Sequence, residues 1–218
     1  MTSTLIILLC TVILLPCLRL LYLLYTIWRR RQTGYTSVPS PHYDSVHMMA
    51  VLGSGGHTKE MLVLINSLGS KFTPRSYVIA DNDRLSIEKV KDMQLSATDV
   101  NYRIYSLPRS RVVHQSFISS IFTSLRAFLS ALPIVARAKP DVLIVNGPGT
   151  CIPILFSAFI MNLCYISDTK IVYVESICRV SSLSLSGKLA YYFADSFIVQ
   201  WPELAQLFPM AFYKGRLL

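Results

Sequence analysis

From His47 onward, short apolar runs alternate with longer stretches of helical period. The runs His47–Leu52, Tyr77–Ala80, Tyr102–Leu107, Val142–Val145, Lys170–Val174 and Ser196–Val199 are brief and rich in β-branched and aromatic residues, so they read as buried strands. Between them, His57–Leu68 places Met61, Leu62, Ile65 and Leu68 on one helical face, and Leu85–Met93 reads as a polar helix. Gln115–Leu132 carries an apolar stripe of Ile118, Ile121, Phe122, Leu125, Leu129 and Leu132, and Pro133 is expected to kink or end that helix. The stripe is expected to pack into the core, with a membrane interface as the alternative surface for it. Ile152–Leu163, Leu185–Phe193 and a short helix from Pro202 complete the pattern. Strands alternating with helices predict an α/β fold on a parallel sheet.

Upstream lies a different pattern. From Leu5 to Trp28 the only charged residue is Arg19, and Arg29-Arg30-Arg31 come at once after it. A helix of that length crosses a hydrocarbon core of about 30 Å. A cleaved signal peptide fits poorly, because no basic residue precedes the run and no small-residue cleavage site lies beyond it. Arg19 costs about 2.5–3.5 kcal/mol at a bilayer centre, so partial residence in the interface is the alternative to spanning. The arginine triplet orients the rest of the chain toward the cytosol. Residues 1–31 thus read as a membrane anchor with a basic flank, 32–46 as a linker of prolines, serines and a glycine, and 47–218 as one domain.

Composition sharpens this only a little. The chain is 52% hydrophobic with a mean hydropathy of +0.46, which the N-terminal segment largely explains. Its net charge of +9 is scattered outside Arg29–Arg31 and the Arg103, Arg109, Arg111 group, with no nucleic-acid-binding motif; an anionic lipid or diphosphate at an anionic leaflet accounts for it better. The five cysteines show no metal-ligand spacing and are expected to be small buried hydrophobes rather than a disulfide framework.

Candidate chemistry collects in three loops at strand ends. Gly53-Ser54-Gly55-Gly56-His57 lies between the first strand and a helix, where free backbone N–H groups at a positive helix end suit a phosphate or diphosphate. A purely structural tight turn is the other reading. Asn146-Gly147-Pro148-Gly149-Thr150 again precedes a helix, and is either a second such cradle or plain chain reversal. Glu175-Ser176-Ile177-Cys178-Arg179 comes after the fifth strand; Glu175 is a site carboxylate, a helix N-terminal charge or a salt-bridge partner of Arg179. In a parallel sheet all three loops share one rim.

These loops, in this order, resemble the anchoring subunit of the two-part UDP-N-acetylglucosamine transferase that builds the dolichol-linked chitobiose core for N-glycosylation. The matching text is GSGGHT at Gly53–Thr58, PRSR at Pro108–Arg111, NGPGT at Asn146–Thr150, IVYVESICRVSSLSLSGKL at Ile171–Leu189 and DSFIVQWPEL at Asp195–Leu204. The resemblance implies the Rossmann-like acceptor half of a GT-B glycosyltransferase split between two chains, carried by one N-terminal membrane helix in the endoplasmic reticulum with its domain in the cytosol. It implies a soluble partner that binds UDP-GlcNAc, a GlcNAc-diphosphodolichol acceptor, and neither metal nor cofactor. His57 is the first candidate for the base that takes the acceptor hydroxyl's proton and Glu175 the second, although a histidine at a helix start is as often structural. Gly53, Ser54, Gly55, Gly56, Asn146, Gly147, Gly149 and Thr150 would hold the acceptor diphosphate, with Arg109 or Arg111 as a nearby cation unless these are merely solvated. Tyr213, Arg216, Leu217 and Leu218 would hold the partner, the alternative being a last strand that closes the domain's own sheet.

Two other functions compete. An NAD-dependent oxidoreductase draws on Gly53-x-Gly55 and on Asp81 as a ribose-binding acid, but Thr58 stands at the third glycine position and no Tyr-x-x-x-Lys pair exists. A non-catalytic anchor would have no need of glycine loops on the sheet's rim.

Overall fold

The computed structural model describes residues 2–33, 45–95, 101–110, 117–147 and 149–218, with the backbone alone for 2–13, 117 and 118. Arg111 and Pro148 lie outside the described residues. The elements are α1 (Thr2–Gln32), β1 (Met48–Leu52), α2 (Gly56–Asn66), β2 (Arg75–Ala80), α3 (Arg84–Leu95), β3 (Tyr102–Leu107) and α4 (Phe117–Ala138). They continue as β4 (Val142–Asn146), α5 (Cys151–Leu163), β5 (Lys170–Val174), α6 (Leu185–Ala190), β6 (Ser196–Val199), α7 (Pro202–Leu207) and β7 (Phe212–Tyr213).

The described strands form one wholly parallel sheet in the order β3-β2-β1-β4-β5-β6-β7. Every residue of β1 and β4 is buried, which is why these strands read as unbroken apolar runs. Met49 and Val51 join Leu143, Val145, Ile171 and Tyr173 under α5, while Met48, Ala50 and Leu52 meet Met61 and Ile65 of α2 and Val90 of α3 on the other face. Strand order reverses between β1 and β4, and that switch point opens a crevice beyond the carboxyl ends of both strands.

Pro133 does not end α4, which runs five residues past it: Pro133 and Leu129 both lie on the exposed side, and the carbonyl freed by the missing N–H has no buried fate. Four members of its apolar stripe do not enter the core: Ile121, Phe122, Leu125 and Leu129 are exposed, Phe122 at 70%, while Leu132 packs against the core and the Ile118 side chain lies outside the described residues. The face against α5 is instead Ala127, Ala131 and Val135, small residues spaced by four that let two helices approach closely. Among the residues whose side chains are described, Ser119–Ala138 is the one helix long and apolar enough to cross a bilayer.

The end of α1 is fastened to the domain. Arg19 donates to the Asn162 carbonyl at 3.2 Å and covers the Tyr165 ring at 3.9 Å. Ile27 is buried in the core, Arg30 pairs with Asp195 at 2.6 Å, and buried Arg31 donates to the carbonyls of Tyr191 and Ala194. Two members of the basic triplet therefore grip protein. Both α1 and α4 pack on α5, so the exposed Leu18, Leu21, Tyr25 and Trp28 of α1 belong to the same helical layer as the α4 stripe. Of the described cysteine side chains only Cys151 is buried; Cys17, Cys164 and Cys178 are exposed free thiols, contrary to the expectation of buried hydrophobes.

Candidate functional site

The rim at the switch point is built from two helix starts. β1 delivers the chain to Gly55, whose φ of +68° and ψ of −124° only glycine adopts easily, and α2 begins at once with no side-chain cap. β4 delivers it to Gly147 and then α5, whose first turn likewise has no side-chain cap. Two helix starts without side-chain caps thus stand side by side, with the positive ends of two helix dipoles; α2 offers the fuller set of N–H groups, since in α5 the Ile152 N–H donates to the Gly149 carbonyl at 3.3 Å and Pro153 has none. Gly53 is buried at the end of β1, whereas Ser54, Gly55, Gly56 and Gly149 are exposed and Thr150 is half-buried.

His57 is anchored between the two loops. Its Nδ1 lies 2.9 Å from Oδ1 of buried Asn146 and 3.4 Å from Oε2 of Glu60, and its side chain is 36% exposed. Gly147 has a φ of +48°, and a Cβ there would sit 2.6 Å from His57 Cε1. The imidazole therefore packs directly on the second glycine loop. A cleft of about 320 Å³ opens here, lined by Gly56, His57, Glu60, Gly147, Cys178 and Arg179 among others.

Glu175 lines the same cleft from a fully buried position: Oε1 accepts from the Ser176 N–H at 3.0 Å, and Oε2 from the Ser184 N–H at 3.0 Å and the Ser184 hydroxyl at 3.1 Å. Burial raises its carboxyl above the ordinary value, against the lowering effect of those hydrogen bonds and of Arg179. Glu175 staples the loop before α6 and forms no salt bridge with Arg179. Arg109 is half-buried beyond β3, two strands from β1, and does not line the cleft; the cation that does is the exposed Arg179. Glu60 escaped sequence reading, though its place three residues after His57 on a helix put the two on one face.

The C-terminal residues lie on the same rim. Phe212 and Tyr213 pair with Ile198 and Val199 as β7, the strand that closes the sheet. Beyond it, Arg216 covers the Trp201 ring at 4.2 Å, the Leu217 N–H donates to Gln200 Oε1 at 2.9 Å, and Leu218 packs against the core cluster on the α2 face. Trp201 Nε1 donates to the Ile177 carbonyl at 2.7 Å, linking this segment to the cleft's third loop.

A Rossmann-like parallel sheet with open helix starts and a histidine at its switch point is the architecture of one half of a GT-B glycosyltransferase. The fold resembles that of Acinetobacter baumannii MurG, with a TM-score of 0.52 at 17% identity over 72% of this chain, which spans 41% of that one. A family model described as "Oligosaccharide biosynthesis protein Alg14 like" matches residues 48–217. The chain belongs to this Alg14-like family. It is 45% identical over 181 residues to the human UDP-N-acetylglucosamine transferase subunit ALG14, covering 80% of this chain and 84% of that one. Against the Yarrowia lipolytica subunit of the same name it is 38% identical over 218 residues, 99% of each chain. The oxidoreductase alternative gains no support, and Thr58 at its third glycine position is buried against Ser86 with hydroxyls 2.7 Å apart.

Proposed function

We propose that this chain is the membrane-anchored, acceptor-side subunit of an inverting transferase that moves GlcNAc from UDP-GlcNAc to the 4-hydroxyl of GlcNAc-diphosphodolichol. Family membership supports the transferase complex, and one observation carries the acceptor role: the uncapped start of α2, the Gly147 loop that leads into α5 and a tethered histidine meet in one cleft at the switch point. The acceptor diphosphate lies across the N–H groups at the starts of α2 and α5, with Arg179 as its nearest cation. His57 Nε2 takes the 4-hydroxyl proton as the new glycosidic bond forms, and UDP departs from the donor held by the partner. Glu175, staple rather than base, keeps the loop bearing Ser176 and Arg179 in place.

The helical layer of α1, α4 and α5 faces the cytosolic leaflet of the endoplasmic reticulum. Its exposed stripes on α1 and α4 supply the apolar contact, Tyr25 and Trp28 suit the headgroup level, and the N-terminal part of α1 inserts. The soluble, UDP-GlcNAc-binding partner docks on the rim at Tyr213, Arg216, Leu217 and Leu218. An apolar cleft of about 160 Å³ on the α2 face, lined by Leu64, Leu68, Phe72, Val172 and Ile198, supports an apolar partner contact close by.

The test is co-expression of the full chain with and without a soluble donor-binding partner, assayed with UDP-GlcNAc and a GlcNAc-diphosphate lipid. Transfer should require both chains. Robust turnover by this chain in a preparation shown free of partner would overturn the split-enzyme reading.

A further inference from the structure

The carboxylate of Glu60 has no place in the reaction as described, yet it touches three of the elements that build the cleft. It belongs to α2, its Oε2 accepts from Asn146 Nδ2 at the end of β4 at 3.0 Å, and its Oε1 accepts from the Ser176 hydroxyl after β5 at 2.8 Å. An amide can meet a carboxylate only through its N–H₂ end, so Glu60 decides which way the Asn146 amide faces. The carbonyl end is thereby turned onto His57 Nδ1 at 2.9 Å. The second neighbour of that nitrogen, Glu60 Oε2 at 3.4 Å, is also an acceptor. Two acceptors at Nδ1 require the proton there, which leaves the lone pair of the neutral ring on Nε2. Among the described residues nothing hydrogen-bonds Nε2.

We infer that Glu60 is a positioning residue: by orienting Asn146 it fixes the His57 tautomer, and so makes Nε2 the nitrogen that accepts the proton. This rests on the reading of His57 as the base. With the carboxylate replaced by an amide, the Asn146 side chain loses its reason to face one way. Its N–H₂ end can turn to His57, Nδ1 becomes an acceptor, and the proton moves to Nε2. The ring then presents a donor to the acceptor hydroxyl. The same carboxylate opposes the charge that appears on the imidazole once it has taken the proton, as the third member of a base triad does.

A staple without this role would hold the loops together and leave the tautomer alone, so the tautomer separates the two. The full chain carries four histidines. Labelled with nitrogen-15 and held in lipid nanodiscs, with His57 assigned by its absence from His57→Ala, it should show a protonated Nδ1 and a bare Nε2 at His57. Glu60→Gln should reverse or mix that signature. In the assembled complex its kcat should fall on the order of 10–100-fold, part of the 10²–10⁴-fold that a positioned base supplies, with KM for the GlcNAc-diphosphate lipid within about twofold. Ser176→Ala frees the other oxygen of Glu60 and the Cys178 N–H that the hydroxyl accepts from at 3.3 Å, leaves the Glu60–Asn146 contact untouched, and should keep the wild-type tautomer. A wild-type His57 protonated on Nε2 overturns the inference without any variant. So does a Glu60→Gln protein that keeps both the signature and kcat, or one that is less stable with the tautomer intact. A wild-type complex with no transfer activity would sink the transferase reading, while the nitrogen-15 comparison would still decide the role of Glu60.

Discussion

Gly147→Ala is the smallest change that should disturb the base without touching it. The new Cβ would meet His57 Cε1 at 2.6 Å and Nδ1 at 2.9 Å, in a backbone whose φ is +48°. Ordinary carbon contacts lie at about 3.5–4.0 Å, so the ring must retreat by about 1 Å. A retreat of that size stretches the 2.9 Å bond from Nδ1 to Asn146 Oδ1 beyond any useful length. The left-handed backbone costs an alanine about 1–2 kcal/mol, and the lost hydrogen bond about 0.5–1.5 kcal/mol more. The combined loss of about 1.5–3.5 kcal/mol should lower the melting temperature by about 3–14 °C for a domain of this size. Catalysis should suffer more than stability, because about 1 Å of misplacement at a reacting group costs on the order of 100-fold. The control is Gly69→Ala, where a Cβ meets nothing within 4 Å and no positive φ is required. Both variants are compared by thermal melting and by GlcNAc transfer in the assembled complex. A Gly147→Ala enzyme with wild-type kcat would refute the argument that ring position matters. Equal damage from Gly69→Ala would refute the contact geometry itself.

The same geometry sets three further outcomes. Removing Lys214–Leu218 should abolish co-purification of the donor subunit while the chain stays folded and membrane-bound; undiminished complex formation would put the docking surface elsewhere. Phe122→Ser with Leu125→Ser should shift the chain from membrane to supernatant in flotation assays once α1 is truncated, with unfolding free energy changed by under about 0.5 kcal/mol because both side chains are exposed. A large loss of stability would mean that the stripe packs on protein. Glu175 is raised above its ordinary value of 4.5, so the native state holds that proton more tightly than the unfolded chain. Its contribution is therefore fully present below pH 4.5 and is lost as pH rises through the folded value, and the stability difference between wild type and Glu175→Gln should shrink across that window. A difference that grows with pH would show that the hydrogen bonds from Ser176 and Ser184, not burial, dominate.

The sheet is legible in the sequence because its strands are buried on both faces, where apolar runs such as Met48–Leu52 and Val142–Val145 carry an unambiguous signal. β2 reads two residues short, since Arg75 and Ser76 look like a polar boundary. Both are buried, with the Arg75 guanidinium donating to the carbonyls of Phe72 and Leu68. The orientation of α4 is not legible: periodicity reports that a helix has two faces, not what each one meets, and the alanine face is the better match for α5. In the site, the loops and His57 are visible as glycines before a helix. The roles of Glu60, Glu175 and Arg179 are not, because they depend on which loops the strand order 1-4-5 brings together.

The central claim is that this chain holds the acceptor lipid and leaves the nucleotide sugar to a partner. Equilibrium binding of a short-chain GlcNAc-diphosphate lipid and of UDP-GlcNAc to the isolated full chain, each repeated with Gly55→Val, measures this directly. The diphosphate lipid should bind, Gly55→Val should weaken it severely without unfolding the domain, and UDP-GlcNAc should show no saturable binding. Saturable binding of UDP-GlcNAc in the α2–α5 cleft, lost in Gly55→Val and unaccompanied by binding of the lipid, would make this the donor half and contradict the account.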